Sequence, residues 1–229
     1  MEKAKVISWV KRSVVYLLGL FCIAIGINIS IKSNLGVSAV TSIPYVLAQK
    51  FPVLTVGNWT TIVYCGFVLI QLALLGKDFK WYYLFQFAVA TLFGFLVDGA
   101  ALLLGLFLPS VSLYLLRILY VLISIVFIAF GIMLYLEANI MSMPAEGVNV
   151  AMSKRFKLPV STCKIIFDVF IVAVAIVLSL AFFKTLLGVR EGTVIIAVLA
   201  GFVMKPIAKF CKQPIHNWLY GKEKQEKTE

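Results

Sequence analysis

KSNLGVSAVTSIPYVLAQK, residues Lys32–Lys50, decides how this chain is built. It follows a long apolar run and precedes another, yet it is too polar and too short to cross a bilayer alone. Its helical part, Val37–Gln49, would extend about 20 Å at 1.5 Å per residue, against a hydrocarbon core of about 30 Å. ANIMSMPAEGVNVAMSKR, residues Ala138–Arg155, has the same character and holds Glu146 and Asn149. Backbone that breaks off at membrane depth is tolerated only inside protein or beside a water-filled cavity. Paired interruptions at matching places in two halves of a sequence point to a solute site.

The surrounding chain is that of a polytopic membrane protein. Hydrophobic residues make up 62% of it and charged residues 14%, with a mean hydropathy of +1.02. Soluble domains run at about 45–50% apolar and about 25% charged. Six segments are long and apolar enough to span: about Val14–Ile31, Trp59–Leu75, Trp81–Leu108, Leu113–Leu136, Cys163–Phe183 and Thr193–Phe210. The third is long enough to tilt or break near Gly94 and Gly99. The runs are apolar all round, without the alternation of a β-barrel strand. Val14–Ile31 follows Lys3, Lys5, Lys11 and Arg12 as in a signal peptide. It is too long for an h-region and no small-x-small site follows, so it reads as an uncleaved first span.

The two halves read as repeats. AIGI at Ala24–Ile27 returns as AFGI at Ala129–Ile132, and the same offset of 105 carries Asn34 to Asn139 and Phe51 to Phe156. ATLFGF at Ala90–Phe95 returns as AVLAGF at Ala197–Phe202, an offset of 107. If both short segments are re-entrant, each repeat crosses three times and the repeats are inverted. The predicted fold is therefore all-α, six transmembrane helices plus two short re-entrant helices in two inverted repeats. The alternative is eight spans in two parallel repeats. The organisation is a cytoplasmic segment 1–12, repeat 1 over 13–110, repeat 2 over 111–213 and a basic cytoplasmic tail 214–229. Within that tail, Leu219–Glu229 reads as a disordered end.

A cytoplasmic N-terminus puts 15 of the 21 lysines and arginines inside and Lys50, Lys184 and Arg190 outside, with Lys32, Arg117 and Lys164 unassigned. That agrees with the positive-inside rule. The eight-span alternative partitions the charges almost equally well, so segment length makes the choice. The net charge of +11 follows from this topology and from contact with membrane lipids. No nucleic-acid-binding module is present, and nucleic acid is not an expected partner.

Enzyme chemistry has no visible basis. HExxH, GxSxG and P-loop patterns are absent, and His216 is the only histidine. Cys22, Cys65, Cys163 and Cys211 are scattered and read as small hydrophobes. No catalytic residue, metal site or cofactor is expected.

An ionisable group at membrane depth costs about 2.5–3.5 kcal/mol on insertion scales, so it faces a partner or a cavity. Lys32 and Glu137 are equivalent at the 105 offset and carry opposite charge, which makes them a candidate gate. Otherwise each lies at its own interface. Lys164 and Asp168 share a helix face as a local ion pair, with Asp168 the candidate for ion coupling. Asp98 is expected to pair with Arg117. The predicted substrate-binding residues crowd the starts of the short helices: Asn34, Gly36, Ser38, Thr41 and Ser42 in the first, and Asn139, Ser142, Glu146, Gly147 and Asn149 in the second. Helix N-termini present free N–H groups that suit an anion, while Glu146 suits a cation or a proton. Read one by one, the same residues are capping and turn residues, with Pro44 and Pro144 as punctuation.

GINISIKSNLGVSAVTSIPYVLA at Gly26–Ala48 and VREGTVIIAVLAGFVMKPI at Val189–Ile207 resemble the YczE/YyaS/YitT group of bacterial membrane proteins, most closely the YczE type. The likeness rests on NLG followed by a Ser/Thr-Pro helix, and on the Arg-Glu-Gly-Thr lead-in to the last span. NIMSMPAEG in the second half departs from it. The resemblance implies a bacterial cytoplasmic-membrane protein with a transport-related role. The expectation is a secondary transporter or exporter of a small molecule or ion, with both termini cytoplasmic, either alone or as a homodimer. The rival is a non-transporting partner subunit of a larger complex.

Overall fold

The structure is a computed structural model, and it describes residues 2–109 and 111–220. The segment 221–229 of the expected tail lies outside the described residues. Among those described, every regular element is helical. In order they are α1 (Glu2–Ser33), α2 (Ala39–Lys50), α3 (Val56–Leu75), α4 (Phe85–Phe107), α5 (Tyr114–Ala138), α6 (Pro144–Phe156), α7 (Val160–Phe183), α8 (Glu191–Ile207) and α9 (Gln213–Tyr220). Short 3-10 turns at Gly76–Asp78 and Trp81–Leu84 join α3 to α4, and a π-helical turn at Ala208–Lys212 joins α8 to α9. Six helical stretches are long and apolar enough to cross a membrane. The chain is a multi-pass helical membrane protein.

The element ends have local causes. Asn34, Asn139, Lys157 and Lys184 take left-handed backbone conformations, which stop a helix at its C-terminus. Asn34 and Asn139, which the 105 offset aligns, have φ of 53° and 48°. The Thr55 side chain caps α3 by accepting from Asn58 N–H. The short helices begin later than the sequence suggested, at Ala39 and Pro144. Pro144 is tolerated there because the first turn has no N–H partner to lose. α4 is not broken at Gly94 or Gly99; its irregularity lies in the 3-10 turn before Phe85.

α1 and α5 form the largest helix pair and run antiparallel. A Cβ placed on Gly19 would lie 2.8 Å from the Gly131 carbonyl oxygen, and one on Gly26 would lie 2.8 Å from that of Ser124. Small residues let backbones approach this closely, which drives helix association where lipid removes the hydrophobic advantage. The 105 offset carries Gly19 to Ser124 and Gly26 to Gly131, so the two contacts exchange. Other pairings match in the same way. α1 packs on α4 as α5 packs on α8, α3 on α6 as α7 on α2, and α2 on α3 as α6 on α7. One match is missing: α3 packs tightly on α4, whereas α7 and α8 share no comparable face.

The aromatic core lies where α3, α4 and α7 meet. Tyr64 stacks on Phe93 at 5.6 Å, and Phe67 meets Phe167 edge-on at 5.2 Å. At the other end of the chain, α9 is a packed helix rather than part of a free tail. Leu219 is buried, and the Tyr220 hydroxyl donates to the Glu137 carbonyl at 3.1 Å.

Candidate functional site

The starts of α2 and α6 meet at one cavity of about 230 Å³. Ser38 and Thr41 come from the first, Glu146 from the second. α7 adds Lys164 and Asp168, and α3 adds Tyr64. The other walls are apolar: Ile23 and Ile27 of α1, Ile128 and Ile132 of α5, and Ala197 and Gly201 of α8. The volume is that of roughly eight liquid waters at about 30 Å³ each, which suits a small solute.

Polar groups in the cavity are partly spent on one another. The Ser38 and Thr41 hydroxyls share a hydrogen bond of 2.8 Å, so Ser38 stands at the N-cap without capping α2. Lys164 Nζ donates to Asp168 Oδ2 at 2.8 Å, as the four-residue spacing predicts. Two acceptors remain. Glu146 Oε2 and Asp168 Oδ1 are shielded and have no hydrogen-bond partner among the described residues. An unmatched buried polar group costs about 1–3 kcal/mol, more when charged.

The remaining sequence-predicted residues hold the two starts in place. Ser42 is buried and donates to the Ala39 carbonyl. Asn34 and Gly36 lie beside Arg190, whose Nη1 donates to the Asn34 carbonyl at 3.2 Å. In the second half, Arg12 donates to the carbonyls of Ala138 and Asn139. The Arg-Glu-Gly-Thr motif acts as a latch on the first loop. Gly192 N–H donates to the Leu35 carbonyl at 2.7 Å, and Val37 N–H donates to the Gly188 carbonyl at 2.9 Å. A Cβ on Gly36, at φ 117°, would come within 2.5 Å of Thr193 Oγ1.

An amide brace plays the matching part for α6. Gln71 Nε2 donates to Gln86 Oε1 at 2.7 Å and to the Pro144 carbonyl at 3.1 Å. Gln86 Nε2 donates to Ser142 Oγ at 3.3 Å. Gly147 leaves room for this, since a Cβ there would lie 2.3 Å from Gln71 Oε1. Asn149 is buried, and its Oδ1 has no partner among the described residues. Both glutamines escaped the sequence reading, although a lone amide inside an apolar span is itself a signal. Tyr64 gave no signal, because an aromatic in a span looks like any other core residue.

Two candidate ion pairs do not form. Lys32 Nζ donates to the Leu108 carbonyl at 2.6 Å, while the Glu137 carboxylate meets His216 Nδ1. Antiparallel packing of α1 on α5 sends these two residues to opposite ends of the pair, so they do not form a mutual gate. Asp98 does not reach Arg117 either. It accepts from Thr55 Oγ1 at 2.6 Å and from Gly57 N–H at 2.9 Å, bonding the start of α3. Arg117 Nε donates to the Val111 carbonyl at 3.0 Å.

Fold and cavity together define a class, the helical multi-pass membrane proteins with a small, partly charged cavity where two short helices begin. The chain belongs to a family of unknown function, DUF6198, whose profile matches residues 10–209. No curated protein and no solved structure matches it.

Proposed function

We propose that this chain is a secondary transporter of a small solute, with the solute held between the starts of α2 and α6. The observation that carries the reading is that Ser38 and Thr41 share one cavity with Glu146. These residues come from segments about a hundred positions apart that the sequence makes equivalent. In the proposed topology the two repeats are inverted and each short helix returns to the face it came from. Its support lies in the contacts at the two ends of α2 and in the length of both segments. Val37 bonds Gly188 near one end of α2, and Phe51 packs on Phe182 at the other, so both ends lie by the C-terminal end of α7.

The exchange of the Gly19–Gly131 and Gly26–Ser124 contacts supports a duplicated and inverted origin. In this reading Asp168 and Glu146 are the coupling carboxylates, since no ATP-binding motif is present. The resemblance to the YczE type and the clustering of lysines support a bacterial cytoplasmic membrane, with both termini inside.

Alternating access is testable without knowing the solute. Ser38→Cys and Ala145→Cys, each in a chain whose native cysteines are replaced by alanine, should react with a membrane-impermeant maleimide from either side of sealed vesicles. Reaction from one side only, for both positions, would contradict transport.

A further inference from the structure

The one unmatched helix pair lies at the cavity. At the 107 offset, Ala90 and Gly94 of α4 correspond to Ala197 and Gly201 of α8. In α4 they seal a seam: a Cβ on Gly57 of α3 would lie 2.2 Å from the Gly94 carbonyl oxygen, and Thr61 Oγ1 donates to the Ala90 carbonyl at 3.4 Å. In α8 their counterparts are exposed and line the cavity. A Cβ on Gly201 would meet nothing within 4 Å. Only 6% of the most apolar stretch of the last span is buried, against 61% for the first.

We propose that the cavity opens sideways into the bilayer between α7 and α8 and takes an amphiphilic cation. Its charge sits at Glu146 and Asp168 and its apolar body lies against α1, α5 and α8. This rests on the reading of the same cavity as a transport site. The route follows from the missing seam, since a solute in the lipid phase can reach Ala197 and Gly201 without crossing a packed helix pair.

The sign of the charge follows from what remains unbonded. Among the described residues lining the cavity, the unbonded buried side-chain atoms Glu146 Oε2 and Asp168 Oδ1 are acceptors, whereas the one side-chain cation there, Lys164, is engaged by Asp168. A helix start carries about half a positive charge. The two starts together offset about one carboxylate and Lys164 the other, so the preference rests on the unbonded acceptor oxygens; α6 also begins with Pro144, which removes one free N–H from its first turn.

The test uses phenyltrimethylammonium and benzenesulfonate, two probes of similar size and opposite charge, titrated calorimetrically into the full chain in lipid nanodiscs. The cation should bind saturably at one per chain, with benzenesulfonate at least tenfold weaker. Glu146→Gln and Gly201→Leu should each weaken the cation at least tenfold. Gly99→Leu, at an equally open glycine away from the cavity, should leave it unchanged. Thermal unfolding of each variant establishes that it is folded. Absence of cation binding, equal binding of the anion, or identical behaviour of Gly201→Leu and Gly99→Leu would overturn the inference. Two-sided maleimide labelling without cation binding would overturn this inference alone. One-sided labelling with cation binding intact would overturn transport and leave the ligand class standing.

Discussion

Glu146 concentrates the cost and the use of the site in one side chain. Its Oε2 is shielded and unbonded, so the folded chain holds a carboxyl group where an apolar wall would be more stable. Glu146→Gln removes that charge at nearly constant volume. It should raise the midpoint of thermal unfolding while abolishing solute-dependent flux in proteoliposomes; a fall in the midpoint would show that the carboxylate serves the fold. Gln71 is the opposite case. Gln71→Leu leaves Gln86 Oε1 without its 2.7 Å donor and should cost about 1–3 kcal/mol, read from thermal unfolding. It should also speed maleimide reaction at Ala145→Cys, because the brace holds the start of α6.

Residue types announced part of this arrangement. Ser38, Thr41 and Glu146 stand out as polar groups in a hydrophobic setting, and the cavity gathers all three with Asp168. Asn34, Gly36, Asn139 and Ser142 stood out equally but hold loops. A hydroxyl, an amide or a positive φ serves a turn as readily as a ligand, and sequence does not separate the two uses.

At the scale of elements, the helix seams decide what is rigid. Gly94→Ala would place a Cβ 2.1 Å from Thr61 Oγ1 and 2.5 Å from the Gly57 carbonyl oxygen, so α3 and α4 must move apart. A cost of about 1–3 kcal/mol is expected, as for overpacked cores. Gly201→Ala, at the equivalent position of α8, meets open space and should change stability by less than about 0.5 kcal/mol. Equal effects at both positions, measured by thermal unfolding in the same detergent, would remove the asymmetry between the seams. The six long helices were legible from apolar run length alone. The asymmetry was not: ATLFGF and AVLAGF look interchangeable, and only the packing partner, present for α4 and missing for α8, distinguishes them. The Lys32–Glu137 pair is absent for a related reason. Lys32 and Glu137 align at the 105 offset, each near the C-terminal end of its helix, and the antiparallel packing of α1 on α5 carries those ends to opposite poles.

At the scale of the whole molecule, the account depends on two short helices that leave and return to their own faces of the membrane and meet at the cavity. Length set that expectation, because a helix of 12 or 13 residues reaches about 20 Å against about 30 Å of hydrocarbon. The most direct measurement is the sidedness of thiol labelling at positions flanking each short helix, in the chain without native cysteines. Lys32→Cys and Val53→Cys flank α2, and Leu136→Cys and Leu158→Cys flank α6. The account predicts that the first two label only from the outer face and the second two only from the inner face. Labelling of Lys32→Cys and Val53→Cys from opposite faces would make α2 a crossing helix and contradict the account.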